Sequence, residues 1–274
     1  MAFQTWQVGL DIQNGQLCAL AIQRRRNGWQ LRHWWQHALP HDTLTNGLVQ
    51  RPDPLIPLLR QWRKNLPWPI SLRVGFPARL ALQHALALPG TTLREPERTS
   101  YITAAAKRFF PVEPGKLALD YRQAAADSGQ LWLTAARRDA VRAWLTTLDN
   151  AGLKPQVLEL APAALFALAQ SLRLNPDVAL VHRLPDHWLW YGAQLEPEWG
   201  WCPAHEAADL AALREKQLAG ATRCYYSSAL AEAPPAEADL LDPLAAFAFK
   251  QPPLPAFGGA FALAAGLALR PGDA

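Results

Sequence analysis

Asp11 ends an apolar run and is followed at once by a polar turn and a second apolar run, in the stretch VGLDIQNGQLCALAI from Val8 to Ile22. A carboxylate at a strand end, a glycine-bearing turn and a returning strand can form a hairpin that binds phosphate through backbone amides and orients a cation through the acid. Asp11, Gln13, Asn14 and Gly15 are therefore the candidate cofactor-binding residues, and the question is whether they still hold a nucleotide. A phosphate approaches backbone closely only where no side chain intervenes.

Other spacings suggest chemistry less strongly. His33, His37 and His41 recur every four residues, which on a helix would place them on one face, but WQLRHWWQHALP is aromatic-rich and reads as a strand. No metal site is expected there. Arg24, Arg25 and Arg26 sit beside a turn and could touch nucleic acid or lipid headgroups, although such a run is commonly a solvated tip. The 12 tryptophans could stack on bases, but positions such as Trp62, Trp132 and Trp144 fall on apolar phases and read as core. Cys18, Cys202 and Cys224 are too far apart for a zinc site or a disulfide framework, so they read as buried thiols. No local Ser-His-Asp or Cys-His arrangement points to a hydrolase.

Around these residues the pattern predicts an antiparallel meander of Trp6 to Ile12, Leu17 to Arg24 and Trp29 to Ala38, separated by Asn-Gly turns. Asp53 and Pro54 then open a helix with Leu55, Leu58, Leu59, Trp62 and Leu66 on one face, leading to a strand from Ile70 to Pro77. A second unit follows: a strand from Leu82 to Leu88, a helix from about Pro96 to Phe110, strands Leu117 to Arg122 and Leu131 to Ala135, and a helix Arg138 to Ala151 stopped by Gly152. PQVLEL reads as a strand and APAALFALAQSL as a helix. Beyond Asn175 the signal thins to a hairpin in DVALVHRLPDHWLWYGAQL, a helix in HEAADLAALREKQLAG, a strand in TRCYYSSA, a proline-rich irregular stretch and a closing helix in AFALAAGLALR. GGAF from Gly258 reads as the turn into that last helix.

Half of the 274 residues are apolar, enough for a sizeable core. The net charge of +4 hides a split: residues 1–175 carry 21 basic against 11 acidic side chains, and residues 176–274 carry 6 against 12. That asymmetry predicts two domains, one suited to an acidic partner or an anionic membrane face. The longest apolar stretch, Gly258 to Leu269, is too short to span a bilayer, and no basic segment precedes an apolar core near Met1, so a cytosolic location is expected.

The element order and several motifs resemble the PilM/HofM family of type IV pilus assembly proteins. The resemblance rests on VGLDIQNGQLCALAI, on LALPG before a helix ending RFFPVEPGKLALDYR, on LWLTAARRDAVRAWLTTLDNAGLKPQVLELAPAAL and on the closing FALAAGLALR. It implies an α/β, actin-like (ribonuclease-H-like) two-domain fold with an inserted small α/β subdomain and a truncated second domain. The expected divisions are 1–78 with 153–175, 79–152, and 176–274.

Measured against that family, the nucleotide motifs are degraded. Gln13 stands where its hairpin has glycine, Asn14 and Gly15 where it has serines, and Cys18 where it has lysine. In the second hairpin His182 replaces an aspartate and Leu184 a glycine, and Ser227 and Ser228 follow the strand where the adenosine site has two glycines. No cofactor is expected, with magnesium-ATP as the alternative occupant.

The resemblance implies a non-catalytic scaffold, peripheral at the cytoplasmic face of the inner membrane in a pilus-like or DNA-utilisation assembly. Its implied partner is the N-terminal tail of a single-pass PilN/HofN-like protein, held between the first domain and the inserted subdomain. Arg73, Phe76, Leu88 and Tyr121 are the expected wall residues. The alternatives are an actin-superfamily ATPase and a nucleic-acid-binding protein.

Overall fold

The computed structural model describes residues 5–87, 94, 96–123, 130–195 and 198–272. The meander forms as strands β1 (Trp6–Gln13), β2 (Gln16–Arg25) and β3 (Gly28–Ala38). Gln13 pairs with Gln16 across Asn14-Gly15, where Gly15 has φ +88°. A further small hairpin, β4 (Leu44–Thr45) and β5 (Leu48–Val49), turns at Asn46 and Gly47, both with positive φ. Helix α1 (Pro52–Arg63) begins one residue before Asp53, which lies in its first turn, and leads into β6 (Ile70–Phe76).

The inserted unit consists of β7 (Ala81–Ala87), α2 (Glu97–Phe109), β8 (Leu117–Gln123) and β9 (Gln130–Arg137). After it come α3 (Arg138–Asn150), β10 (Val157–Leu160) and α4 (Ala161–Leu172). The last third contains β11 (Val178–Arg183), β12 (His187–Gly192), β13 (Trp199–Pro203), α5 (Leu210–Gln217), β14 (Arg223–Ser228), β15 (Asp239–Leu240) and α6 (Ala262–Leu269). Strands β13 and β15 were not expected from the sequence.

Two five-stranded sheets carry the molecule, in the orders β10-β6-β1-β2-β3 and β13-β12-β11-β14-β15, with a separate β7-β9-β8 sheet. Strands β1, β6 and β10 run parallel, so the helices preceding β6 and β10 must return along the sheet face. Those helices are α1 and α3. They bury Leu55, Leu59, Trp144 and Leu148 against Val8, Leu10, Leu72 and Val74. The other face of the first sheet meets α4 and α6, whose apolar surface continues onto Leu180 and Leu189 of the second sheet.

Two helices depart from the expected divisions. Helix α3, assigned to the inserted unit, buries its apolar stripe in the first-sheet core, and α6, assigned to the second domain, lies against β1 and α4. Both helices follow the apolar face available to them rather than their neighbours in sequence. All eight residues of α6 are buried, so this short helix is interior on every side.

Candidate functional site

Side chains alternate along β1, and Asp11 falls with Gly9 on the face that α6 covers. Its carboxylate is 3% exposed, beside Gly75, and its partner is the Gln13 amide, which donates from Nε2 to Oδ1 at 2.7 Å. Burial raises the Asp11 pKa to about 7 against the lowering effect of that hydrogen bond. Cys18, opposite Asp11 on β2, has its pKa pushed well up by burial and by the Asp11 charge. Asn14 is also occupied: with its nitrogen turned inward, its amide donates to the His41 and Leu44 carbonyls at 2.6 and 3.3 Å. The Gly15 carbonyl accepts from Leu39 N–H at 2.8 Å.

The hairpin of β11 and β12 is likewise turned inward. His182 is fully buried, with Nδ1 2.8 Å from Ser227 Oγ, and burial and the nearby His187 lower its pKa to about 3. Ser228 Oγ donates to Glu232 at 2.7 Å and accepts from Leu230 N–H at 3.0 Å. Gly259 in the 3₁₀ turn before α6 packs on this strand end, since a Cβ there would lie 3.2 Å from the Ser228 carbonyl oxygen. Asp11 and His182 are thus both buried, and each is hydrogen-bonded to a neighbouring side chain, Gln13 and Ser227.

A second feature is open. A groove of about 460 Å³ runs between the first sheet, the inserted sheet and the edge of the second sheet. Strand alternation explains its wall. The apolar phases of β8 and β9, Leu117, Leu131, Leu133 and Ala135, pack beneath α2 with Leu119 and Tyr121. The other phase faces the groove, with Ala118, Asp120, Arg122, Trp132 and Thr134. Phe76, Leu158 and Leu160 line the opposite wall, and Phe166, Tyr191 and Trp199 continue it toward the second sheet.

Of the expected wall residues, Phe76 lines this groove. Tyr121 does not: it lies on the α2 side of β8, where the Arg98 guanidinium sits 6.0 Å from its ring centroid. Arg73 is 3% exposed within β6, between Gly9 and Val157. Leu88 lies outside the described residues. The sequence reading missed Arg122, Trp132, Glu159 and Phe166, although the alternation of LALDYR and LWLTAAR carries the signal for the first two.

Glu159 gives the groove its electrostatic floor. It is 4% exposed at the edge of the first sheet, and Oε2 accepts from Arg122 Nη2 at 2.9 Å and from Arg270 Nε just beyond α6. One carboxylate thus joins the inserted sheet, the first sheet and the closing helix. Arg79, after β6, reaches Asp186 at 3.4 Å and lies over the Trp201 ring at 5.0 Å, tying the first and second sheets together.

A sequence profile described as Type IV pilus assembly protein PilM matches residues 9–183. The chain belongs to the PilM family. The DNA utilization protein HofM of Escherichia coli (strain K12) is 29% identical over 276 residues, with 98% of each chain covered. Among solved structures, the PilM-PilN type IV pilus biogenesis complex matches with a TM-score of 0.68 at 18% identity, over 98% of both chains. The cytoplasmic domain of EpsL, an inner membrane component of the Vibrio cholerae type II secretion system, matches at 0.54 and 12%, over 94% of this chain and 93% of that one. The fold is actin-like, as expected. Among the described residues of this PilM-family chain, no helix is long and apolar enough to cross a membrane.

Proposed function

We propose that this PilM-family chain is a non-catalytic docking scaffold of a pilus-like or DNA-utilisation assembly. It acts at the cytoplasmic face of an inner membrane and captures the N-terminal tail of a PilN/HofN-like membrane protein in the groove. The observation carrying this reading is the groove's construction. Strands β8 and β10 are edge strands, so their backbones can add an extended segment, while Phe76, Trp132 and Phe166 offer apolar pockets for its side chains. The relative solved as a PilM-PilN complex supplies the class of partner.

The inward-facing Asp11, Gln13, His182 and Ser227 support a scaffold that works without nucleotide. Calorimetric titration with a peptide of the partner's N-terminal tail and, separately, with magnesium-ATP tests both parts. Saturable peptide binding with no heat from nucleotide is expected. Phe166 is 41% exposed on the groove wall, and Phe166→Ala should weaken the peptide by about tenfold or more, as loss of an aromatic anchor does. Leu82→Ala, at an exposed position absent from the groove wall, should leave binding unchanged. A silent peptide with saturable ATP would overturn the reading and return Asp11 to the role of a working site residue.

A further inference from the structure

The parallel run of β1, β6 and β10 gathers one end of the first sheet into a single surface. The starts of β1, β3 and β6 lie there, together with the end of β2 and the C-termini of α1 and α3. This end is opposite Phe76 and Leu160, so it is separate from the groove.

Three arginine–tryptophan pairs occupy it. Arg24 lies over Trp29 at 5.0 Å, Arg32 over Trp6 at 5.1 Å and Arg63 over Trp68 at 5.2 Å. Arg25 and Arg26 stand exposed at the tip of the β2–β3 hairpin. Exposed Arg60, at the end of α1, donates to the Asn150 carbonyl at 2.7 Å, and exposed Lys64 and Lys154 follow α1 and α3. The acid paired within the group is Asp149, 4.0 Å from Lys154. Trp68 is 82% exposed, on a loop that Arg63 fastens by donating to the Leu66 and Pro67 carbonyls.

We propose that this end of the first sheet rests directly on anionic lipid headgroups. Basic side chains near an anionic leaflet are each attracted to it, and tryptophan favours the headgroup level, where an apolar ring and a polar edge are both accommodated. Arginines paired with tryptophans at the end of one sheet supply both requirements on one surface. A nucleic-acid surface fits less well, because one face of each ring already carries a guanidinium and is closed to a stacking base. The surface lies apart from the groove that would hold the peptide. It also constrains peptide capture: β6 is 7 residues long, roughly 23 Å at about 3.3 Å per residue, so a membrane-borne tail must run at least that far to reach the groove.

Co-sedimentation with phosphatidylglycerol-containing vesicles, phosphatidylcholine vesicles and duplex DNA tests the proposal. Binding is expected to the phosphatidylglycerol vesicles and not to phosphatidylcholine alone. The triple change Arg24→Gln, Arg25→Gln, Arg26→Gln should weaken it by on the order of a hundredfold, and Trp68→Ala by about tenfold. The Arg→Lys triple variant should retain binding, which excludes misfolding as the cause of the loss. Failure to bind anionic vesicles, or DNA binding that the Gln triple variant loses while Trp68→Ala keeps it, would overturn the proposal.

Discussion

Gly9→Ala and Gly266→Ala are each expected to remove more than about 3 kcal/mol of stability, enough to leave little folded protein. Helix α6 is held by close backbone contact on two sides. A Cβ at Gly9 would stand 2.0 Å from the Ala264 carbonyl oxygen and 2.6 Å from the Ala268 nitrogen, and one at Gly266 would stand 1.9 Å from the Ala164 carbonyl oxygen. Ordinary overpacking is relieved by side-chain rotation, but here the obstructing atoms are backbone. β1 cannot retreat either, because Gly9 is paired with Leu20 on one side and Arg73 on the other. Denaturant midpoints measure the effect. Gly115→Ala, where a Cβ meets nothing within 4 Å, should change stability by less than about 0.5 kcal/mol. A Gly9→Ala protein as stable as the parent would show that α6 can slide, which this packing forbids.

Asp11→Asn is expected to stabilise the protein at pH 8 by up to about 4 kcal/mol and to have little effect near pH 3. The sign follows from the carboxyl pKa, which rises from 3.8 in the unfolded chain to about 7 in the fold, chiefly through burial. Between those values the native state binds the proton and the unfolded state does not, so the acid costs stability progressively as pH rises toward 7. His182 has the opposite effect. Its pKa falls from 6.5 to about 3 by burial, so the unfolded state binds the extra proton and stability falls as pH drops through that window. Where the windows overlap, from about pH 4 to 6.5, the two slopes cancel. Replacing Asp11 leaves the His182 slope alone, and stability should then rise with pH across that range. Denaturation of both proteins from pH 3 to 8 checks this, and an Asp11→Asn variant less stable than the parent at pH 8 would mean that the charged carboxylate has a compensating partner.

Much of the fold was legible because its signals are local. The alternation of β1 to β3 and the stripe of Leu55, Leu59 and Trp62 announced those elements, and the apolar APAALFALAQSL was found as α4. What failed was non-local. No residue of α3 or α6 states which sheet will cover it, so both were placed with their sequence neighbours instead of with the first-sheet core. The β4–β5 hairpin was missed for another reason: its Asn46-Gly47 turn was present, but its strands are two residues each and leave no periodicity. At the candidate site the departures at Gln13 and Cys18 were visible in sequence, whereas the Gln13 hydrogen bond to Asp11 was not. In the groove, Tyr121 was expected on the wall because its strand flanks the junction, but it shares the phase of Leu117 and Leu119 under α2, which leaves Arg122 on the open side.

The burial of α6 also sets the order in which the molecule can be made. Gly9 meets residues 264 to 268, a separation of about 255 positions, so the contact that closes the first sheet has very high contact order. At roughly 5 to 20 residues per second, a ribosome takes about 13 to 50 seconds to travel from one to the other. Throughout that interval the Gly9 face of β1 has no lid, and the nascent chain carries an exposed apolar sheet face longer than most small domains take to fold.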